Sequence, residues 1–231
     1  TQLQEVINNA NPLQLTTGNS NLVQDFQHRL FSRYFNMDAK TGRMFFAFLR
    51  GTASMNALTT LTQIASAASG GIWVPTGDTA FYLRPGAQLS KPVNLDGAFT
   101  VGSRINWSRP LLKGKLNLNT GFSFDYRETP SLIQIDALVP QRNTSKNPSL
   151  GFDLGLGSNI SERLDFNISS ATSYNEVVNT LQSSLNQTYW IQRTGLQINW
   201  MPGGKWVINS DLNHQLYTGF QANFNQSIYL W

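Results

Sequence analysis

From Lys115 to Tyr126 the chain alternates between oily and wet residues for twelve positions without a break. Leu116, Leu118, Thr120, Phe122, Phe124 and Tyr126 share one face, and Lys115, Asn117, Asn119, Gly121, Ser123 and Asp125 the other. A period of two is that of a β-strand with one apolar and one polar face. The run is about twice the ~5–6 residues usual for a strand. The pattern recurs. Phe99, Val101, Ile105 and Trp107 oppose Thr100, Gly102, Arg104 and Asn106. Leu150, Phe152, Leu154 and Leu156 oppose Gly151, Asp153, Gly155 and Gly157. Leu164, Phe166, Ile168, Thr172 and Tyr174 oppose Asp165, Asn167, Ser169, Ser173 and Asn175, and Trp206, Ile208, Leu212 and Leu216 oppose Asn209, Asp211, Asn213 and Gln215. Long two-faced strands with no helical period predict an all-β chain built as an antiparallel meander. Two places depart from the pattern: Gln192 and Thr194 interrupt the apolar phase that ends at Trp200, and Phe45, Phe46 and Phe48 put aromatics on both faces after Gly42.

The connections alternate in length. Short ones fall near Met37–Gly42, Pro110–Gly114, Ser161–Arg163 and Met201–Lys205, where "DAKTG" and "MPGGK" read as tight turns. Longer ones fall near Thr60–Gln88, Glu128–Asn147 and Asn179–Gln187, with a shorter one at Gly219–Asn223. Short turns at one end and longer loops at the other are the habit of an outer-membrane barrel. Aromatic residues agree with it. Tyr34, Trp107, Trp200 and Trp206 flank the short turns on the apolar phase, and Tyr126 and Tyr174 hold that phase at the opposite ends. The span between the two groups is near the ~9–11 residues of a tilted transmembrane strand, and paired aromatic belts mark membrane interfaces.

Composition sharpens the choice of solvent. Only 13% of the 231 residues are charged, against about 25% in an average soluble domain. Asn, Gln, Ser, Thr and Gly carry the polarity instead. The longest apolar run, Met44 to Leu49, is far short of the ~20 residues of a membrane helix, so a membrane-spanning form has to be a barrel with the oily faces toward lipid and the wet faces toward a lumen. The competing soluble β-sandwich leaves the low charge, the long strands and the phased aromatics unexplained. The net charge of +4 is scattered, without the basic stripe that tracks nucleic acid. The absence of cysteine excludes disulfides and thiolate metal sites. Thr1 opens the chain without a signal peptide, as expected of a mature form or a fragment.

Five stretches also carry a family resemblance: "NPLQLTTGNSNL" (Asn11–Leu22), "RYFNMDAKTGRMFFAFL" (Arg33–Leu49), "KPVNLDGAF" (Lys91–Phe99), "LKGKLNLNTGFSFDY" (Leu112–Tyr126) and "YTGFQANFNQSIYLW" (Tyr217–Trp231). In this order and spacing they resemble the later barrel strands of the TonB-dependent-receptor-like outer-membrane β-barrels of Bacteroidota. The resemblance implies a large barrel that takes up a solute across the outer membrane, with an N-terminal plug coupled to TonB and often a carboxypeptidase-like β-sandwich, neither of which is recognisable in these residues. On this basis residues 1–21 form a lead-in and residues 22–231 a single barrel segment of eight full strands plus a ninth starting at Phe224. Single-chain bacterial barrels close with an even strand number, so the odd count implies part of a larger barrel; the competing view makes Trp231 a terminal insertion signal. The expected partners are outer-membrane lipid, the rest of the barrel and its plug, and a surface lipoprotein, with TonB engaged only through the missing parts.

No P-loop, dinucleotide fingerprint, HExxH or EF-hand loop is present, and the reading is of a non-enzyme without cofactor or metal. His28 and His214 fall on the apolar phase, where Ser32 or Ser210 could serve a lipid-facing hydrolase; that alternative lacks an orienting acid. The lumen candidates are Arg50, Arg104, Asp125, Asp153, Asp165, Arg193 and Asp211, as cross-strand pairs, plug contacts or the lining of a solute path. In the long loop "GGIWVPTGDTAFYL" (Gly70–Leu83), Trp73, Phe81 and Tyr82 are candidates for stacking on sugar, meeting a lipoprotein or folding back over the mouth. A second alternative is a non-transporting barrel that serves as a structural or docking subunit of the envelope.

Overall fold

In the computed structural model, which describes residues 2–76, 79–158, 160–161, 163–204, 206–220 and 224–231, the fold is all-β, with most residues in strands. The strands are β1 (Gln14–Thr16), β2 (Phe26–Asp38), β3 (Arg43–Met55), β4 (Ala57–Ile64), β5 (Ile72–Thr76), β6 (Thr79–Leu83) and β7 (Gln88–Leu95). They continue with β8 (Ala98–Leu111), β9 (Leu116–Ile135), β10 (Gln141–Ser158), β11 (Leu164–Asn179), β12 (Gln187–Trp200), β13 (Ile208–Thr218) and β14 (Gln226–Leu230). No helix among the described residues is long and apolar enough to cross a membrane.

Nine of these strands form a wall in the order β2-β3-β8-β9-β10-β11-β12-β13-β14, each antiparallel to its neighbour. The register preserves the sequence pattern across the whole width. Ala47, Ile105, Phe122, Phe152 and Thr172 form one cross-strand row, and Arg50, Gly102, Asp125, Ser149 and Asn175 form a row on the opposite face. A slip of one residue at any strand would turn its oily set to the wrong side. The wall is a single layer. The chain's 15303 Å² of accessible surface compares with about 10,500 Å² for a compact protein of this mass, and Phe122, Phe152 and Leu154 of the wall remain over two-fifths exposed.

The described wall is an open sheet: β2 and β14 are its two edges, unpaired with each other. The sheet is also mixed, which corrects the expected all-antiparallel meander, because β4 runs parallel to β9 and β1 parallel to β7. The cause is a ribbon that turns over. β3–β4 and β7–β8 make one long antiparallel hairpin, with Met44 opposite Ser108 at one end and Ile64 opposite Gln88 at the other. In the wall the hairpin presents β8 to β9; beyond the wall it presents β4 to β9. The partner can change only if the ribbon rotates half a turn between the two. Asn56 adopts φ 54° at that point. Its N–H donates to Asp96 Oδ1 (2.7 Å), and Asn94 Nδ2 donates to the carbonyls of Asn56 (2.7 Å) and Val23 (2.9 Å). Arg142 of β10 donates to the Asp96 carbonyl at 2.7 Å.

Above this turnover sits a small head made of β1, β4, β7, the β5–β6 hairpin and the far end of β9. The stretches expected as long loops, Thr60–Gln88 and Glu128–Asn147, are therefore largely strand. The buried apolar cluster of the described chain lies in this head: Leu15, Ala65, Ile72, Val74, Leu83, Ala87 and Leu89, with Ile7 and Phe81 packed against it. Leu83 and Leu89 are fully buried, each stabilising by about 1.5–3 kcal/mol. Asp136 closes the base of the head. It holds φ 55°, donates its N–H to the Ile64 carbonyl (2.8 Å), and accepts from the Ser66 N–H (2.7 Å) and hydroxyl (2.8 Å).

Candidate functional site

The wall places the candidate residues on two opposed faces. On the apolar face, Tyr34 lies beside Phe45 near the short turns, with ring centroids 6.0 Å apart, and Trp107 and Trp200 stand in the same zone. Trp206 precedes β13, which begins at Ile208, so it flanks the turn but is not in the strand. At the other end Tyr126 lies 6.4 Å from Phe99 and donates its hydroxyl to Glu128 at 2.8 Å. Tyr174 meets Trp190 at 4.9 Å. Trp190 belongs to this belt and escaped the sequence reading, because Gln192 and Thr194 break the phase that would have revealed it. Between the belts, Phe122, Leu150, Phe152, Tyr174 and Trp190 outline an apolar groove of ≈ 340 Å³.

On the polar face, four of the seven charged candidates pair. Arg50 Nη2 donates to Asp125 Oδ1 at 2.8 Å, and Arg104 Nη2 to Asp153 Oδ2 at 3.1 Å. Each pair reaches over an intervening strand, and a glycine makes the reach possible. Gly102 stands between Arg50 and Asp125 in register, and a Cβ there would sit 2.6 Å from Asp125 Oδ1. Gly121 serves the Arg104–Asp153 pair in the same way, with Asp153 Oδ2 3.0 Å from its would-be Cβ. Asp165 accepts from Ser158 at 3.1 Å, and Asp211 accepts from Gln197 at 3.2 Å and Asn213 at 2.7 Å. Arg193 stands in register between Ala171 and Gln215 and makes no side-chain hydrogen bond to the described residues. Met44, Phe46, Arg104, Asn119, Asp153 and Ser169 line a groove of ≈ 420 Å³ on this face. Phe46 and Phe48 extend it toward the β2 edge, where Phe31 meets Phe48 at 5.2 Å and Phe35 lies opposite Phe46.

The head sorts the loop aromatics. In β5 the side chains alternate, with Ile72, Val74 and Thr76 buried and Trp73 70% exposed. Phe81 packs on the core, while Tyr82 lies beside Trp73 with centroids 5.3 Å apart. Tyr82 donates its hydroxyl to the Gly70 carbonyl, and its ring lies across Gly71, whose φ of 97° and lack of a Cβ admit it. The hairpin's inner face is thus anchored in the core, and Trp73 and Tyr82 lie against each other on its outer face. The electrostatics of the head centre on Asp136: the Ser66 N–H, and then its hydroxyl, hold that carboxyl below the usual carboxylate range.

The two histidines lie apart on the apolar face. His28 packs edge-on to Phe26 at 4.9 Å. His214 stacks on Tyr229 at 4.3 Å, and its Nε2 lies 3.0 Å from Ser227 Oγ. Ser210, one of the two candidate serines, accepts from Trp231 Nε1 at 3.0 Å. No described carboxylate bonds to the His214 ring, and no described cluster of three or more His, Asp or Glu side chains could hold a metal ion. No family model, no curated protein and no solved structure matches this chain.

Proposed function

We propose that this chain supplies wall and external head to an outer-membrane β-barrel of the TonB-dependent receptor type, used for solute uptake. The observation that carries the reading is the apolar face: nine strands share one register, most of them keep an oily phase on the same side, aromatic residues bracket it, and no second layer covers it among the described residues. Hydrocarbon is the solvent that makes such a face favourable, because in water it would be a large exposed apolar surface. The opposite face, with its glycine-spanned ion pairs and its ≈ 420 Å³ groove, suits a water-filled or plugged lumen. The Phe31, Phe35, Phe46 and Phe48 patch on that face is the natural contact for a plug. Unpaired strand edges are not tolerated in lipid, so β2 and β14 pair with further strands of a larger barrel. The head then stands outside the membrane.

The second reading, a non-transporting docking subunit of the envelope, draws on the rigid display of Trp73 and Tyr82, since exposed aromatics on a fixed scaffold are typical anchors for a partner such as a surface lipoprotein. The test is outer-membrane fractionation followed by gels of heated and unheated samples, with solute uptake compared between wild type and Arg104→Ala. A heat-shifted band with impaired uptake supports transport. A heat-shifted band with normal uptake favours docking, and recovery only in soluble fractions refutes both.

A further inference from the structure

The apolar face is not uniform, and its uneven part points to a second copy of this chain. On β9 the oily phase runs from Leu116 to Phe124 with only Thr120 interrupting. At ~3.4 Å per residue and ~40° tilt that is about 20 Å of height, close to the ~25 Å band a barrel needs. On β12 it runs only from Trp200 to Leu196, about 10 Å on the same geometry. Above it lie two cross-strand rows of polar side chains: Thr172 and Gln192 in one, Ser170, Thr194 and His214 in the next, with Ser227 beside His214. Both rows stand below the Tyr174–Trp190 pair along their strands; in register the first continues the Phe122–Phe152 row of β9 and β10 and the second the Thr120–Leu154 row.

The patch satisfies itself only in part. Gln192 donates to Ser170 at 2.9 Å and to Thr194 at 3.3 Å, and accepts from Thr172. The Ser170 and Thr194 hydroxyl hydrogens and His214 Nδ1 have no partner among the described residues. Polar groups at such depth are costly against lipid.

We propose that β11–β13 dock, through this patch, on the same patch of a second copy, an inference that rests on the apolar face meeting lipid elsewhere. The patch is uncharged, so it does not repel itself, and each of its side chains can both donate and accept. It is therefore self-complementary. A two-fold axis along the membrane normal also sets identical patches at identical depth, as an isologous contact requires. The Tyr174–Trp190 pair at the rim supplies the large apolar anchors that such contacts use.

The chain has no cysteine, which makes the test direct. Thr194→Cys and, as a control on β10, Phe152→Cys are introduced singly into the full chain in its native membrane and oxidised. Thr194→Cys should form a disulfide-linked species of double mass, several-fold more than Phe152→Cys, and adding Gln192→Leu should reduce it. The same cysteines, reduced and labelled with a fluorophore, are then placed in phosphatidylcholine vesicles with brominated acyl chains. Phe152→Cys should be quenched and Thr194→Cys shielded. Quenching at both sites without cross-linking overturns the dimer and leaves the lipid reading standing. Quenching at neither overturns the lipid reading and the dimer together. A cross-linked species of any mass other than double overturns the second copy as the occupant.

Discussion

The wall and the head are made of the same chain but solve opposite problems. The head buries Leu83, Leu89 and Val74 in its own core, while Leu58, Trp73 and Ile135 stay exposed on its outside. The wall buries almost nothing and leaves Phe122, Phe152, Leu154 and Ile168 exposed in one plane. The head is thus stabilised by hydrophobic burial in a core of its own. The wall has ladder hydrogen bonds but no such core, and on the proposed reading an apolar environment outside it takes the core's place. The same β3–β4 and β7–β8 ribbon serves both, and the half-turn at Asn56 and Asp96 is where its duties change. The short β5–β6 hairpin carries the head's aromatic display, whereas the long wall strands keep one face apolar and the other polar.

Substitutions can break this contrast, and the largest effect is expected in the head. Leu83→Ala removes a fully buried side chain and should cost about 2–5 kcal/mol. Limited proteolysis should then cut within residues 60–90 while the wall strands stay protected. Next comes the wall. Phe152→Arg places a charge in the apolar band and should cost about 2–4 kcal/mol, read as loss of the heat-shifted band, while Asn167→Arg on the opposite face should be tolerated.

A smaller effect is expected at Asp136. Its carboxyl is held below the usual carboxylate range by the Ser66 N–H and hydroxyl. The stabilisation is therefore present above the ordinary carboxylate pKa and is lost as the pH falls below it. Asp136→Asn should loosen the head at neutral pH and abolish the acid-dependent part of its loosening, followed by hydrogen exchange at the amides of Ser66 and of residue 136 itself. The smallest effect is expected from Gly102→Ala, which pushes a Cβ into the Arg50–Asp125 pair. Because both side chains are more than half exposed, the change should be within about 1 kcal/mol. It should alter lumen-dependent uptake more than stability.

How much of this was legible in the sequence follows from where each residue's solvent lies. Wall strands such as β9 and β10 carry an apolar face and a polar face, so alternation announces them, their register and their aromatic ends. The head strands are short and meet a core assembled from distant segments. Thr59 bonds to the Pro130 carbonyl and Ser66 to Asp136 across some seventy residues, which no local period encodes. Gly70, Gly71 and Pro75 break the β5 pattern into what looks like loop. The parallel β4–β9 pair depends on the ribbon turning over, a rotation set by Asn56, Asn94 and Asp96 rather than by hydrophobic phase. On the candidate surfaces, the charged residues were visible as a polar phase, but which pairs form depended on Gly102 and Gly121 opening the path between strands. Trp190 and Ser227 were hidden because their strands mix polar residues into the oily phase.

The most direct test of the two-faced wall is a cysteine scan of Leu150 to Gly157 on β10, each site carrying a fluorophore in brominated phosphatidylcholine vesicles. If Leu150, Phe152, Leu154 and Leu156 face hydrocarbon, those four sites are quenched and Gly151, Asp153, Gly155 and Gly157 are not, giving a period of two along the strand. Equal quenching at all eight sites, or none at any of them, would contradict the account.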